Sequence, residues 1–295
     1  MSQPEKKIED PDHLVLQPRD VRFDWGRTPA HWIPGEVLLA HILNVTHMIL
    51  PEIERWFIRV FSAALPLISS EKVRADVRGF IGQESVHAES HQGAADHLTR
   101  HGIDVTPFTG QMEWVFQERL LRPELKGTRA RKWLIWQLSG VAAGEHFTAM
   151  LGEYILANRK LDEVGADPVM LDLFRWHGAE EVEHRAVAFD LFTHLDNRYW
   201  ARVITMVAII PPLIWLFIRG TLFLYRNDPH LPPGSRPRMR ELIRLLREGL
   251  LPPVMWLIKG TLKYLRRDFH PSQVGSTSAA LEYLATSPAA RAANH

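Results

Sequence analysis

The apolar residues of this chain repeat with a helical period along most of its length. Leu50, Glu54, Phe57, Phe61 and Leu65 follow one another at steps of three or four residues. Such steps place side chains on one face of an α-helix. Because no stretch shows convincing strand alternation, the sequence predicts an all-α fold.

Proline, glycine and serine punctuate this pattern and set the expected helix limits. Pro51 is expected to start one helix, which Pro66 ends. A serine caps the next helix and Gly102 stops it, while Asp167 opens the last one. The four longest predicted helices cover residues 51–65, 69–101, 128–157 and 167–194, with a shorter one near residues 111–121.

The C-terminal third follows a different pattern. Residues 202–225 and 249–271 are both apolar, and each contains a proline pair, then Trp, then Gly-Thr-Leu. They predict two apolar helices, each broken at its proline pair. The expected organisation is an irregular N-terminal segment (1–30), a helical bundle (31–196), a basic apolar helical extension packed on the bundle or a membrane surface (197–271) and a mobile tail (272–295).

Charge is spread unevenly over the 295 residues, although the net charge is only +1. Residues 1–196 contain 21 Lys and Arg against 29 Asp and Glu, whereas residues 197–268 contain 13 against 4. A basic apolar segment favours a membrane surface or an acidic partner. No nucleic-acid-binding motif is visible, so nucleic acid is not an expected partner. A homodimer is a further expectation.

The chain has no Cys, which excludes disulfides, thiolate metal sites and a Cys nucleophile. Any metal must therefore be bound by His, Asp or Glu. The first residues lack the apolar core of a secretory signal. The sequence predicts a cytoplasmic protein, peripheral on the inner membrane if the basic extension binds lipid.

Candidate chemistry appears where charged residues interrupt an apolar helix face. In the second predicted helix, Glu84, His87 and His91 lie on one face, between Val77 before them and Leu98 after them. Burying a charge without a partner is very costly. A metal ion would compensate, although His91 fits a hydrogen-bonding role as well as a ligand role.

The stretch "WHGAEEVEH" repeats this arrangement in the fourth helix. His177, Glu181 and His184 step by four and then three residues, with apolar positions before and after them. Glu180 borders the same stripe, as a general base or as a group behind the ligands. Glu183 is expected to point to solvent.

Two E-x-x-H pairs and two lone glutamates on apolar faces are the ligand pattern of ferritin-like di-metal proteins. Glu54 and Glu145 are the lone glutamates, each preceding one pair in the chain. The pattern predicts a ferritin-like four-helix bundle core with extra C-terminal apolar helices. Carboxylate and imidazole ligands favour two iron ions, with manganese as the alternative. The competing interpretation is charged helix faces with hydrogen-bonded core histidines. The proposed metal residues are Glu54, Glu84, His87, Glu145, His177, Glu181, His184 and His91.

Several motifs also resemble a known bacterial family, usually labelled "predicted metal-dependent hydrolase". The motifs are "LPEIERWFI", "FIGQESVHAESH", "GEHFTAM", "WHGAEEVEHRAVAFDLF" and "RDFHP", within residues 35–271. The resemblance implies metal positions at Glu54, Glu84, His87, Glu145, Glu181 and His184. This chain has Ile53 where many relatives carry Gly.

The H-x-x-x-E-x-x-H spacing of residues 177–184 is similar to that of di-iron arylamine N-oxygenases. This likeness implies His177 as a seventh ligand. The leading hypothesis is therefore a di-iron oxidase or oxygenase that uses O₂ and an external electron donor to oxidise a hydrophobic, lipid-like or amine substrate. The alternatives are a two-metal hydrolase and a non-enzymatic metal-handling protein.

Overall fold

The structure, a computed structural model, describes residues 15–293, and this part of the chain contains helices and no strand. The all-α prediction is confirmed. Short turns of 3₁₀-helix cover Trp25–Arg27, Leu65–Leu67 and Pro271–Gln273, and a π-helical segment covers Trp114–Arg119. The α-helices are α1 (Val37–Ala64), α2 (Glu71–Arg100), α3 (Thr106–Glu113), α4 (Gly127–Ala157), α5 (Lys160–Glu163), α6 (Pro168–His184), α7 (Val187–Leu195), α8 (Tyr199–Asn227), α9 (Met239–Glu248), α10 (Val254–Tyr264), α11 (Thr277–Thr286) and α12 (Pro288–Ala293).

Helices α1, α2, α4 and α6 form the centre of the fold. Short connections join α1 to α2 and α4 to α6, so each pair packs as neighbours. The two pairs then contact each other through α1 with α4 and α2 with α6. Ser70 caps α2 by accepting from Val73 N, and Asp167 caps α6 by accepting from Val169 N and Met170 N. Helices α2 and α6 therefore begin where the sequence predicts.

The backbones of α4 and α6 are in direct contact at two glycines. A Cβ added to Gly152 would lie 2.4 Å from Gly178 O and 2.8 Å from Gly178 Cα. No side chain fits in this space, so the two helices can approach closely only with glycine here. The contact lies seven residues after Glu145 and three residues before Glu181.

Gly152→Ala is expected to destabilise the protein by about 1–3 kcal/mol, because the new methyl group meets rigid backbone. Urea unfolding followed by circular dichroism measures the effect. Gly110→Ala in α3 is the matched control, since a Cβ there meets nothing within 4 Å. The control should be neutral or more stable by up to about 1 kcal/mol. Equal stability of the two variants would contradict the close contact.

Proline positions account for most differences from the predicted helix limits. Pro51 lies inside α1, and Pro211 and Pro212 lie inside the continuous helix α8. Each proline removes one backbone hydrogen bond, but packing of the long helix outweighs that loss. The second proline pair does break the chain, because Pro253 precedes the first residue of α10. The predicted helix 167–194 is in fact α6 and α7, separated at residues 185–186.

The C-terminal residues expected to form a mobile tail instead form α11 and α12, packed on α6. The buried Asp172 carboxylate holds them, because it accepts from Tyr283 Oη (2.8 Å), Ser287 Oγ (2.8 Å) and Ala289 N (3.0 Å). This polar anchor cannot be read from an Ala- and Ser-rich sequence. The expected irregular segment holds for residues 15–30 apart from one 3₁₀ turn, while residues 1–14 and 294–295 lie outside the described residues.

Helix α8 packs one face on α1 and α4 and leaves the other exposed. Two helical segments are long and apolar enough to cross a membrane by length and composition, Val37–Leu67 and Tyr199–Asn227. The most apolar window of the first is 61% buried, as in a core helix, whereas that of the second is only 28% buried. Such features are weak evidence for a span, and no span is assigned.

Candidate metal centre

The residues of both E-x-x-H pairs and both lone glutamates meet at the centre of the fold. They come from four helices: α1 supplies one glutamate, α4 supplies one, and α2 and α6 supply one pair each. All six side chains are at most 3% exposed. The convergent residues are Glu54, Glu84, His87, Glu145, Glu181 and His184.

The polar atoms of these side chains lie close together around one shared space. His184 Nε2 lies 3.3 Å from Glu84 Oε1, 3.3 Å from Glu145 Oε2 and 3.4 Å from Glu181 Oε2. His87 Nδ1 lies 3.7 Å from Glu84 Oε1 and 3.8 Å from Glu181 Oε1. Glu84 and Glu181 therefore face both histidines.

Most polar atoms at this centre have no hydrogen-bond partner among the described residues. A buried polar atom without a partner is rare and costly in folded proteins. Imidazole nitrogens and carboxylate oxygens at these separations are the donor set that divalent transition metals bind. The donor atoms therefore fit metal binding. The unpartnered atoms are both carboxylate oxygens of Glu54, Glu84 and Glu145, together with His87 Nδ1 and His184 Nε2.

Three of the carboxyl groups lie in surroundings that disfavour their charged form. Burial, followed by the charge of Glu181, raises the pKa of Glu84 from its ordinary 4.5 to about 8. Burial and the neighbouring carboxylates also raise the pKa of Glu54 and of Glu145 well above the ordinary value. Without metal, Glu84 keeps its proton near neutral pH, so a metal ion bound there would displace that proton.

Glu181 and His184 form an ion pair instead. Burial alone would raise the pKa of Glu181, but the nearby His184 and His177 lower it well below its ordinary value. Burial alone would lower the pKa of His184, but Glu181 and Glu145 raise it well above its ordinary value. Thr148 adds a hydrogen bond, because its hydroxyl donates to Glu181 Oε2 at 2.5 Å.

Glu180 lies behind His87. Its Oε2 is 3.0 Å from His87 Nε2, and its Oε1 accepts from Arg19 at 2.6 Å. A carboxylate that accepts from the outer nitrogen of a histidine fixes the ring and its tautomer. His87 is left with a lone pair on Nδ1, which faces the centre. Of the two roles that the sequence suggests for Glu180, these contacts favour the group behind the ligand.

Glu180→Gln is expected to weaken metal affinity about 10- to 100-fold while leaving the protein folded. The amide retains the shape but loses the charge that orients His87. Competition with a chelator, measured on the metal-loaded protein, gives the affinity directly. Glu89→Gln is the control, because Glu89 lies on the exposed side of α2. Unchanged affinity in Glu180→Gln would contradict this role.

Gln83 performs the corresponding task for His184. Its Oε1 is 3.1 Å from His184 Nδ1, and its Nε2 donates to Glu183 Oε2 at 2.7 Å. This contact leaves His184 Nε2 free to face the centre. Glu183, expected to point to solvent, is instead covered, because Arg19 donates to both of its oxygens. The side chain of Glu183 is only 2% exposed.

His91 and His177 belong to a row of buried histidines. His177 Nε2 lies 2.7 Å from Glu181 Oε1, and His177 Nδ1 lies 2.5 Å from His91 Nε2. His91 Nδ1 then contacts His47 Nδ1 at 2.7 Å. His91 thus contacts His177 on the side away from Glu181, while His177 itself borders the centre, 3.6 Å from Glu54 Oε1. Donor atoms of His91, His177 and Glu54 are also close enough together to hold an ion.

A second cluster, of two histidines and one aspartate, lies away from this centre, and the oxygens of its carboxylate already have partners. His31 Nε2 and His41 Nε2 contact Asp228 Oδ2 at 2.5 and 2.9 Å, and Asp228 Oδ1 accepts from His230 N. These three side chains are close enough to hold an ion. Both carboxylate oxygens, however, already have partners, so the cluster is complete as a link between the N-terminal segment, α1 and the end of α8.

Sequence reasoning did not identify Arg19, Gln83, Thr148 or His47 as parts of this centre. Gln83 directly precedes Glu84, but nothing in its spacing distinguishes it from a surface glutamine. Arg19 lies in the irregular N-terminal segment, where helical periodicity gives no information. All four are placed by the packing of distant segments.

Comparison with known proteins gives one finding. A family model described as "Predicted metal-dependent hydrolase" matches residues 17–275, which include every helix of the centre. No curated protein and no solved structure matches the chain. The model match confirms the family resemblance of the sequence motifs, whereas the likeness to arylamine N-oxygenases has no counterpart in these comparisons.

Proposed function

Since the chain belongs to the family described as predicted metal-dependent hydrolases, we propose that its central site binds two divalent metal ions and hydrolyses a hydrophobic small-molecule substrate. The observation that carries this proposal is the set of buried, unpartnered oxygen and nitrogen atoms that converge from four helices. The family description favours hydrolysis over the oxygenase hypothesis. Iron and manganese are the proposed metals, because the donors are carboxylates and imidazoles.

The residues divide into two metal positions in this proposal. Glu84, Glu145, Glu181 and His184 form one group with donor atoms close enough for a single ion. Glu54, Glu84 and His87 form a neighbouring group. When bound, two ions supply Lewis acidity that activates water and polarises the bond to be cleaved.

The remaining residues of the centre orient the metal-binding side chains and hold or carry protons. Glu180 holds the proton of His87 at Nε2, and Gln83 accepts the proton of His184 at Nδ1. His177 is the proposed proton carrier, because Nε2 faces the centre while Nδ1 is backed by His91. Trp176 and Phe80, whose rings lie 5.0 Å from His87 and 4.8 Å from His184, exclude bulk water.

Metal analysis and activity assays on the purified protein test this proposal. We expect about two transition-metal ions per chain and hydrolysis of apolar aryl esters or phosphoesters that stops after chelation and returns with Mn²⁺ or Fe²⁺. His177→Gln should retain metal but lose most of the hydrolysis. One zinc ion per chain and no metal-dependent hydrolysis would overturn the proposal.

A second candidate is an oxidase or oxygenase, and the position of His177 favours it. In that function His177 would be a seventh ligand, the two ions would be iron, and O₂ and an external electron donor would be needed. The same samples distinguish the two. Substrate-dependent O₂ consumption by the reduced iron-loaded protein, with loss of metal in His177→Gln, would favour the oxidase.

A further inference from the structure

The outward face of α8 is apolar along most of the helix. Its exposed residues recur at steps of three and four, so they form one stripe opposite the face packed on α1 and α4. No charged residue occurs between Arg202 and Arg219. A contiguous apolar stripe of this kind marks an interaction site. The large exposed residues of the stripe are Trp200, Ile204, Val207, Ile214, Trp215 and Ile218.

Helix α10 also packs on α4 and carries exposed apolar residues of its own. It contacts α4 through Gly260, whose carbonyl lies 3.0 Å from His146 Nε2, and it exposes a second short stripe to the outside. Arg202, on α8, binds the end of α10 through Arg266 O at 2.5 Å. The two helices are therefore held together. The exposed apolar residues of α10 are Val254, Met255, Ile258 and Leu262.

Exposed basic residues are numerous in the part of the chain that carries these stripes. Residues 197–268 carry a net charge of +9, from 13 Lys and Arg against 4 Asp and Glu. One of the acids, Asp228, is buried between two histidines and leaves no charge on the surface. An apolar stripe beside an excess of positive charge complements an anionic lipid surface. The exposed basic residues are Arg226, Arg236, Arg238, Arg240, Arg247, Lys259, Arg266 and Arg267.

We propose that the outward faces of α8 and α10 dock in the plane of an anionic lipid bilayer. The apolar stripes enter the boundary between headgroups and acyl chains, and the basic residues contact the lipid phosphates. Trp200 and Trp215 supply the amphipathic rings that favour this depth. The helices lie on the membrane and do not cross it, because buried residues at both ends of α8, within 201–206 and 216–225, hold the helix to the bundle.

The two prolines of α8 also favour a position of this helix at the headgroup level of the bilayer. Pro211 and Pro212 have no N–H, so the carbonyls of Val207 and Ala208 cannot receive the usual helical hydrogen bond. Both of these residues are on the exposed face. An unsatisfied carbonyl costs several kcal/mol in hydrocarbon, whereas water or a headgroup can satisfy it at the interface. The middle of α8 therefore belongs at the headgroup level.

Vesicle co-sedimentation of the full chain tests the docking. We expect binding to vesicles that contain phosphatidylglycerol, weaker binding to phosphatidylcholine alone, and release as salt is added. The double variant Ile214→Glu/Ile218→Glu should weaken binding at least about tenfold, because it places two charges in the apolar stripe.

The matched control is Val15→Glu/Leu67→Glu, which adds the same charge at two exposed apolar residues outside the stripes. It should bind like the unmodified chain. Absence of binding to both kinds of vesicle, or equal loss in the two double variants, overturns the proposal. The proposal also fails if the chain is a dimer that does not bind vesicles and that Ile214→Glu/Ile218→Glu converts to a monomer. In that case a second copy of the chain covers the face. None of these outcomes bears on the chemistry of the metal centre.

Discussion

Replacing Glu54 with glutamine is expected to reduce the metal content from about two ions per chain to one or fewer. Glu54 is 2% exposed, and neither of its oxygens has a partner in the part of the chain that the structure describes. An uncharged amide cannot replace a carboxylate as a strong ligand of a divalent ion. Elemental analysis of the purified variants gives the stoichiometry, and metal-dependent activity should fall with it.

Glu52 supplies the matched control for this substitution. It lies two residues earlier on α1 and is also buried, at 9% exposure. Its carboxylate, however, pairs with Arg55 and accepts from Gln117 Nε2 at 2.9 Å. Glu52→Gln should therefore keep the full metal content. In the metal-free state, Glu54→Gln should be at least as stable as the original protein, because it removes a buried ionisable group. Full metal content in Glu54→Gln would show that Glu54 is not a ligand.

The second expected result is that the metal-free protein loses stability as pH rises from about 6.5 to about 8. Below this interval the buried histidines whose pKa values are lowered act in the opposite direction, because only the unfolded state binds their protons; they are His47, His91, His97, His146 and His177. The folded pKa of Glu84 is about 8, above its ordinary value of 4.5. Over this interval the folded state holds a proton that the unfolded state has released. The stability linked to that proton is complete below pH 4.5 and is lost as pH rises through about 8.

Each proton retained in this way changes the free energy of unfolding by about 1.4 kcal/mol per pH unit. The raised pKa values of Glu54, Glu145 and His184 act in the same direction. Bound metal replaces these protons, so the metal-loaded protein should show a much flatter dependence.

Urea unfolding of the chelator-treated and metal-loaded proteins at several pH values measures this difference. Glu84→Gln is the informative variant, because its amide does not titrate and one retained proton disappears. Its metal-free form should therefore depend less on pH than the original. Parallel pH profiles for the metal-free and metal-loaded proteins would rule out protonated carboxyl groups at the centre.

That these glutamates and histidines meet at one centre was predictable from the sequence. Helical spacing, and the free-energy cost of burying a charge on an apolar helix face, can both be judged from neighbouring residues. Glu84 and His87 occupy positions where the apolar stripe of α2 requires core residues, and Glu181 and His184 do the same in α6. The lone glutamates were identified by the same reasoning. The structure brings all six residues together, and their assignment as ligands remains a prediction that metal analysis tests.

The supporting contacts and several helix limits could not be predicted, because they depend on distant packing. Glu183 was expected in solvent, since its helix face gave no sign that Arg19 would cover it. Pro51 and Pro211 were expected to interrupt helices, but contacts along the remaining length keep both helices continuous. The C-terminal helices depend on Asp172, more than a hundred residues earlier in the chain.

The glycine contact between α4 and α6 has a consequence for how this protein can change over evolutionary time. Because Gly152 and Gly178 touch through main-chain atoms, the separation of the two helices does not depend on the sizes of neighbouring side chains. The apolar residues around the site can therefore drift, or be redesigned, without resetting the gap between Glu145 and Glu181. The same contact makes both glycines points at which almost any substitution would widen that gap.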